Sequence, residues 1–295
     1  MKSVIERFLL AMQKTRTSTT LYCYKHQLHE LNELLAEEGL DWRAVDSKQL
    51  SRIYKKLKKT KSFAAGTIAG RIGAVRVFYR WAVKENLLSY SPADYMTKPH
   101  VGEKLPRALL TPEQVDTLIR EPIQTGWMKV RNRVLLELLY SAALTVSELS
   151  RLEWQHVDFE QRWIQVERDP GGQSRLIPMG GSLYQELWTW HEKYRRGSRY
   201  VLYSIRCLRQ KMPFGTRAIH RVVYETAKAH GIPCAHPHLF RHLCAIHMLQ
   251  NGAPDHIVQQ FLGLSRTERI QRYHRADLKQ LQQQYEQYYQ AKAVQ

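Results

Sequence analysis

Between Ser89 and Pro112 the chain carries Pro92, Pro99, Gly102, Pro106 and Pro112 among polar residues, and this stretch constrains the fold more than any other. Proline fixes φ and removes a backbone donor, so neither a long helix nor a sheet runs through so dense a set. The 295 residues are therefore expected to form two units, each large enough to bury its own core. We expect a helical domain at 1–88, a basic linker at 89–111 and a larger domain at 112–295.

Upstream of the break the pattern is helical throughout. Leu21, Tyr24, Leu28, Leu31 and Leu35 recur at steps of 3 and 4, an amphipathic stripe for a core, with an N-cap at Thr17-Ser18-Thr19 and a stop at Gly39. Further helices are predicted over 47–59 and 64–86, the latter with Ile68, Ile72, Val75, Phe78, Tyr79 and Ala82 on its apolar face. Gly66, Gly70 and Gly73 would let another helix or a DNA backbone approach it closely. Downstream, Thr111-Pro112-Glu113-Gln114 is a capping box with proline at the first helical position. Helices are predicted at 112–121, 128–142, 182–195, 216–230, 239–251, 254–262 and 266–273, with a tail helix to about 290. Trp163-Ile164-Gln165-Val166 and Arg175-Leu176-Ile177-Pro178 flank Asp169-Pro170-Gly171-Gly172, a β-hairpin pattern. The fold class is mainly α with a short β element.

Formal net charge is +18, and its distribution says more than its size. From Ser47 to Lys84 there are eleven Lys or Arg and no Asp or Glu; from Lys193 to Tyr224 there are nine and again no acid. Ordinary surfaces mix both signs, so these runs point to a polyanionic partner, here double-stranded DNA. Lys55, Lys56, Lys58, Lys59, Lys61, Thr67, Arg71 and Arg76 are the expected DNA-binding residues. Cys23, Cys207, Cys234 and Cys244 include no CxxC pair, which argues against a disulfide framework or a zinc site and for a reducing cytoplasm. No segment approaches 18 uncharged apolar residues and the first six residues do not read as a signal peptide. No membrane role, metal or cofactor is expected, and the location expected is cytoplasmic, with the nucleoid.

The chemistry sits near the C-terminus. His238 and Arg241 are three apart and share one helical face, and Tyr273 follows Arg241 by 32 residues. This set suits phosphoryl transfer from DNA: a phenolic oxygen attacks the phosphodiester while cationic donors stabilise the transition state. HxxR alone is common, but Leu262-Gly263-Leu264, nine residues before Tyr273, makes the pattern specific. The same residues also fit a phosphate-binding site without turnover, with Tyr273 as a core tyrosine.

These residues resemble the tyrosine recombinase, or phage-type integrase, family, and most closely its Xer branch. Phe78-Tyr79-Arg80-Trp81-Ala82 with Asn86-Leu87-Leu88 is similar to the core-binding segment. The run from Arg131 to Ser141, followed by Val146-Ser147-Glu148-Leu149 and Trp154, is similar to the first catalytic box. Pro237-His238-Leu-Phe-Arg241-His242 with His247 resembles the second, and Leu262-Gly263 with Tyr273 the third. The resemblance implies a SAM-like core-binding N-terminal domain, a C-terminal tyrosine-recombinase catalytic fold, and tetramers that exchange C-terminal segments. It assigns Tyr273, Arg241 and His238 to catalysis and treats His242, His247 and Arg175 as structural. Three family positions are not filled: Thr145 stands for an arginine, Pro170 for the hairpin lysine, and Leu264 for His or Trp. Two functions follow. One is site-specific recombination through a 3′-phosphotyrosyl intermediate at Tyr273, on DNA half-sites bound as by a clamp. The other is a catalytically impaired homologue that assists a partner recombinase in a homo- or hetero-tetramer. Leu278, Leu281 and Tyr285 in the tail would then dock on a neighbouring protomer.

Overall fold

The computed structural model describes residues 1–100, 110–167, 174–204, 212–232, 235–264, 270–271 and 273–274, which fall into two compact units on either side of the 101–109 stretch. The first holds four helices, α1 (Lys2–Met12), α2 (Ser18–Glu37), α3 (Ser47–Thr60) and α4 (Ala65–Lys84). Their starts follow from cap chemistry. Thr17 accepts the Thr20 amide at 3.3 Å, and Asp46 with Gln49 forms a reciprocal capping box at 2.7 and 2.9 Å. Of the predicted stripe, Leu28, Leu31 and Leu35 are fully buried, while Leu21 and Tyr24 flank the same core. Phe8 meets Phe78 edge-on at 5.5 Å between centroids, and the buried Tyr79 hydroxyl donates to Trp42 O at 3.0 Å. The chain after α4 stays with this core, burying Ala93 and Met96. Two glycines of α4 do not serve a neighbouring helix: the Cβ position of Gly70 meets nothing within 4 Å, and that of Gly73 only Lys98 Nζ at 3.8 Å.

The second unit runs α5 (Pro112–Arg120), α6 (Gly126–Tyr140), α7 (Val146–Arg151), β1 (Val157–Asp158), β2 (Trp163–Val166), β3 (Arg175–Pro178), α8 (Gly181–Tyr194), α9 (Thr216–Ala229), α10 (Pro237–Gln250) and α11 (Asp255–Leu262). The Thr111–Gln114 capping box starts α5 as the sequence predicts. α6 is the central element. Val134, Leu135, Leu138 and Leu139 are fully buried, and α5, α8, α9 and α10 pack around it. Its one deeply buried acid, Glu137, accepts hydrogen bonds from Ser141 Oγ at 2.6 Å and Ser182 Oγ at 2.5 Å, which replace the water it has lost. The expected hairpin is one half of an antiparallel sheet in order β1-β2-β3, with Ile164 opposite Ile177 and Val157. The hairpin tip, most of the predicted 266–273 helix and the tail lie outside the described residues. No helix among the described residues is long and apolar enough to cross a membrane, and none of their His, Cys, Asp and Glu side chains form a group of three or more suited to a metal ion.

Candidate active site

Three chain turns converge on α10. At the end of α6, Ala143 takes φ +48°, and the Leu144 amide closes back on Leu138 O at 3.2 Å. This left-handed turn is one a side-chain-bearing residue rarely adopts. It presents the Ala143 carbonyl to α10, where it accepts a hydrogen bond from Arg241 Nη1. The other terminal nitrogen of Arg241, Nη2, donates to Leu262 O at the end of α11, which Gly263 stops at φ +61°. Arg241 is thus fixed by two main-chain carbonyls from separate turns, and it is only 7% exposed.

Thr145 occupies the N-cap of α7. Its hydroxyl accepts the Glu148 amide at 3.3 Å, and Glu148 Oε2 accepts the Thr145 amide at 2.8 Å. The same carboxylate takes two hydrogen bonds from Arg175, at 2.7 and 3.1 Å, and lies 4.0 Å from Arg241 Nη1. Burial alone would raise the Glu148 carboxyl, but the hydrogen bonds and charge of Arg175, the Thr145 amide and the charge of Arg241 together hold it below its ordinary 4.5. Arg175 also donates from Nε to Phe261 O at 2.9 Å, so all three of its nitrogens are tied to the protein. Sequence reading gave Glu148 no role. Its signal was there in the capping-box spacing, which promised the cap but not the arginines that share it.

His238 and Tyr273 lie on either side of His242. The ring centroids of His238 and His242 are 6.4 Å apart, those of His242 and Tyr273 5.6 Å, and His242 Nδ1 is 3.2 Å from the Tyr273 hydroxyl. Tyr273 is 4% exposed, in an apolar cluster with Ala143, Ile246, Val258 and Leu262, against which Leu264 packs. His238 is exposed, yet partial loss of water, then the charge of Arg241 and of His236 and His220, lowers its pKa below 6.5, so it is neutral at pH 7. A neutral imidazole can accept a proton or donate a hydrogen bond. His247 is structural as expected, joining Tyr140 Oη at 2.8 Å and Leu110 O at 2.9 Å. His242 departs from expectation, because its ring reaches the candidate nucleophile. Pro170 is outside the described residues.

The expected DNA-binding residues separate into groups. Lys55 and Lys58 line a cleft of about 420 Å³ with Lys98, Ser51, Tyr54 and Thr97, while Lys59 and Thr67 are exposed elsewhere on α3 and α4. Lys56 pairs with Glu38 at 2.6 Å and Lys61 with Glu30 at 3.0 Å. Arg71 also pairs with Glu30, at 2.7 Å, and lies over the Phe63 ring at 4.1 Å. Arg76 donates to Ala93 O at 3.1 Å and to Met96 O, which ties the chain after α4 to its helix.

This architecture has known counterparts. Residues 108–280, more than half of the chain, match the phage integrase family, and residues 5–86 match the phage integrase N-terminal SAM-like domain. The chain is 27% identical over 271 residues to tyrosine recombinase XerC of Roseiflexus sp. (strain RS-1), covering 89% of this chain and 86% of that protein. It is 26% identical over 294 residues to tyrosine recombinase XerD of Staphylococcus aureus (strain N315), covering 98% and 99%. Among solved structures it shares the fold of the Tn1549 transposon integrase in complex with transposon right end DNA, with TM-score 0.70 at 17% identity, covering 95% of this chain and 98% of that one. A lambda integrase dimer bound to a COC′ core site gives TM-score 0.66 at 16% identity, covering 92% and 76%. With both family regions in order along one chain, and the fold to match, this protein belongs to the phage integrase family of tyrosine recombinases.

Proposed function

We propose that the chain binds double-stranded DNA half-sites as a clamp, residues 1–88 and 112–295 forming its two arms and 89–111 joining them, and acts in site-specific recombination. The observation that carries this reading is the convergence of Arg241, His242 and Tyr273 in one cluster, with His238 at its exposed edge. In the reaction the Tyr273 oxygen attacks the scissile phosphorus, its proton passes to an imidazole, and the 5′ oxygen leaves with a proton as the 3′-phosphotyrosyl bond forms. Arg241 stabilises the charge on the non-bridging oxygens. A suicide substrate, nicked so that the leaving strand diffuses away, tests this directly. A covalent adduct with wild-type protein that Tyr273→Phe abolishes supports the reading; no adduct on DNA that the protein binds overturns the catalytic part.

A second reading has its own support: an impaired homologue that binds DNA and assists a catalytically complete partner in a mixed tetramer. Thr145 caps a helix where a second arginine is expected, and Arg175 is anchored by Glu148 and Phe261. Under this reading no adduct forms with this protein alone, and its addition stimulates cleavage by the partner.

A further inference from the structure

Arg131, in the second turn of α6, is 7% exposed, as deeply buried as Arg241 and Arg175. Those two share the carboxylate of Glu148. Arg131 has no such partner: among the described residues no acid lies within ion-pair distance of it. Its Nε and Nη2 both donate to the neutral Asn132 Oδ1, at 3.1 and 2.9 Å, and Asn132 is itself buried with its amide nitrogen on Gln124 Oε1 at 2.5 Å. Two aromatic faces enclose the guanidinium, Phe214 at 4.4 Å and Trp127 at 5.3 Å. The neighbouring charge is of the same sign: burial first, then Arg221, lowers the Arg131 pKa to about 10.

A guanidinium taken out of water normally carries a countercharge, because ring faces and one amide oxygen replace only part of its hydration. Here a second cation, the exposed Arg221 on α9, adds charge of the same sign, and its own acid, Glu225, lies 3.9 Å from its Nε in an exposed pair one turn along the helix. A buried arginine that no acid among the described residues reaches, held between two rings, forms a site for an anion. The planar fork of arginine matches phosphate oxygens, and apolar walls strengthen the attraction.

We propose that Arg131, assisted by the charge of Arg221, receives one phosphate of the bound DNA backbone, which supplies a countercharge that no acid among the described residues provides. This rests on the DNA-binding reading above. It goes further in giving a buried residue of the second unit a direct contact with substrate.

The test adds the countercharge from within. Asn132→Asp keeps the shape and both hydrogen bonds to Arg131, and Gln124 can turn its amide to donate to the new carboxylate. Arg221→Gln removes the second, exposed cation with little risk to the fold. Binding of a mixed-sequence DNA duplex is measured by the full-length proteins across a salt series. Each variant is expected to lower affinity about tenfold at low salt and to make the log–log salt slope shallower by about 0.9, the value for one phosphate. Asn132→Asp should also raise Tm. Inorganic phosphate, compared with chloride at equal ionic strength, should raise the Tm of the wild type and not of Asn132→Asp. Unchanged DNA affinity and slope in both variants, against a wild type that binds, overturns the assignment and leaves Arg131 a packing residue. A phosphate response with unchanged DNA binding overturns the DNA contact in favour of a free-phosphate site. A wild type that binds no duplex overturns the DNA-binding reading and this inference together.

Discussion

His242 Nδ1 lies 3.2 Å from the hydroxyl of Tyr273, inside a cluster where the tyrosine is 4% exposed. The contact puts the phenol and the imidazole within hydrogen-bond range of each other and shields the phenol from water. Under the proposed reaction this nucleophile is covered, so DNA must displace the cover before attack. His242→Phe, which preserves ring packing, should reduce the rate of suicide-substrate adduct formation by ~10²–10⁴ if the imidazole acts as base. An unchanged rate in a folded, DNA-binding variant would assign the proton to His238 instead.

The missing groups can be put back. Thr145→Arg, Pro170→Lys and Leu264→His together should raise cleavage, since one oxyanion donor is worth ~10²–10³ in rate and a general acid ~10²–10⁴. The factors do not multiply within one site, so the triple variant is the informative one. Adduct yield per hour on nicked DNA is the measurement. No gain in a protein that folds and binds would show that the turn around Ala143 no longer presents the pocket in a catalytic shape.

Lysines without acidic partners among the described residues should matter more to DNA than paired ones. Replacing Lys55, Lys58 and Lys59 by alanine is expected to weaken duplex binding across sequences, with the salt slope falling by about 0.9 for each phosphate no longer neutralised. Replacing Lys56 and Lys61, which already meet Glu38 and Glu30, should do less. Fluorescence anisotropy over a salt series separates the two sets. Equal effects would mean the ion pairs open on binding.

Glu148 sets an acid limit on stability. Its folded pKa is depressed, so its contribution is fully present above about 4.5 and is lost as pH falls through the lowered value. Urea midpoints for the second unit should drop on acidification through that window. Glu148→Gln strands two arginines, 6% and 9% exposed in their side chains, and is expected to cost roughly 3–5 kcal/mol, the range for breaking a buried pair. A loss under about 1 kcal/mol, the value of an exposed pair, would mean that water replaces the carboxylate.

Much of the fold was readable because helices repeat every 3.6 residues and announce their ends. The Thr17 and Thr111 caps both mark helix starts in the structure, while the Asp46 and Thr145 caps and the short helix α7 went unread. β1 went unread because two residues carry no period. In the candidate site, His238, Arg241 and Tyr273 were legible from their spacing. What held them was not: the Arg241 to Ala143 bond joins residues 98 apart, and a backbone carbonyl leaves no mark in a sequence. The same blindness covers Arg131, whose lack of an acid becomes visible only when its surroundings are known. Charge runs marked a basic surface, but Arg71 and Arg76 serve the protein's own acid and carbonyls in the structure.

The threonine that stands in for an arginine is not an idle substitution. By capping α7, Thr145 took on a second employment, and exchanging it for arginine removes a cap of about 0.5–2 kcal/mol. Thr145→Arg on its own therefore runs uphill in stability. The helix start works here as a latch: a charge placed at position 145 comes without loss to the fold only alongside a second change that secures α7.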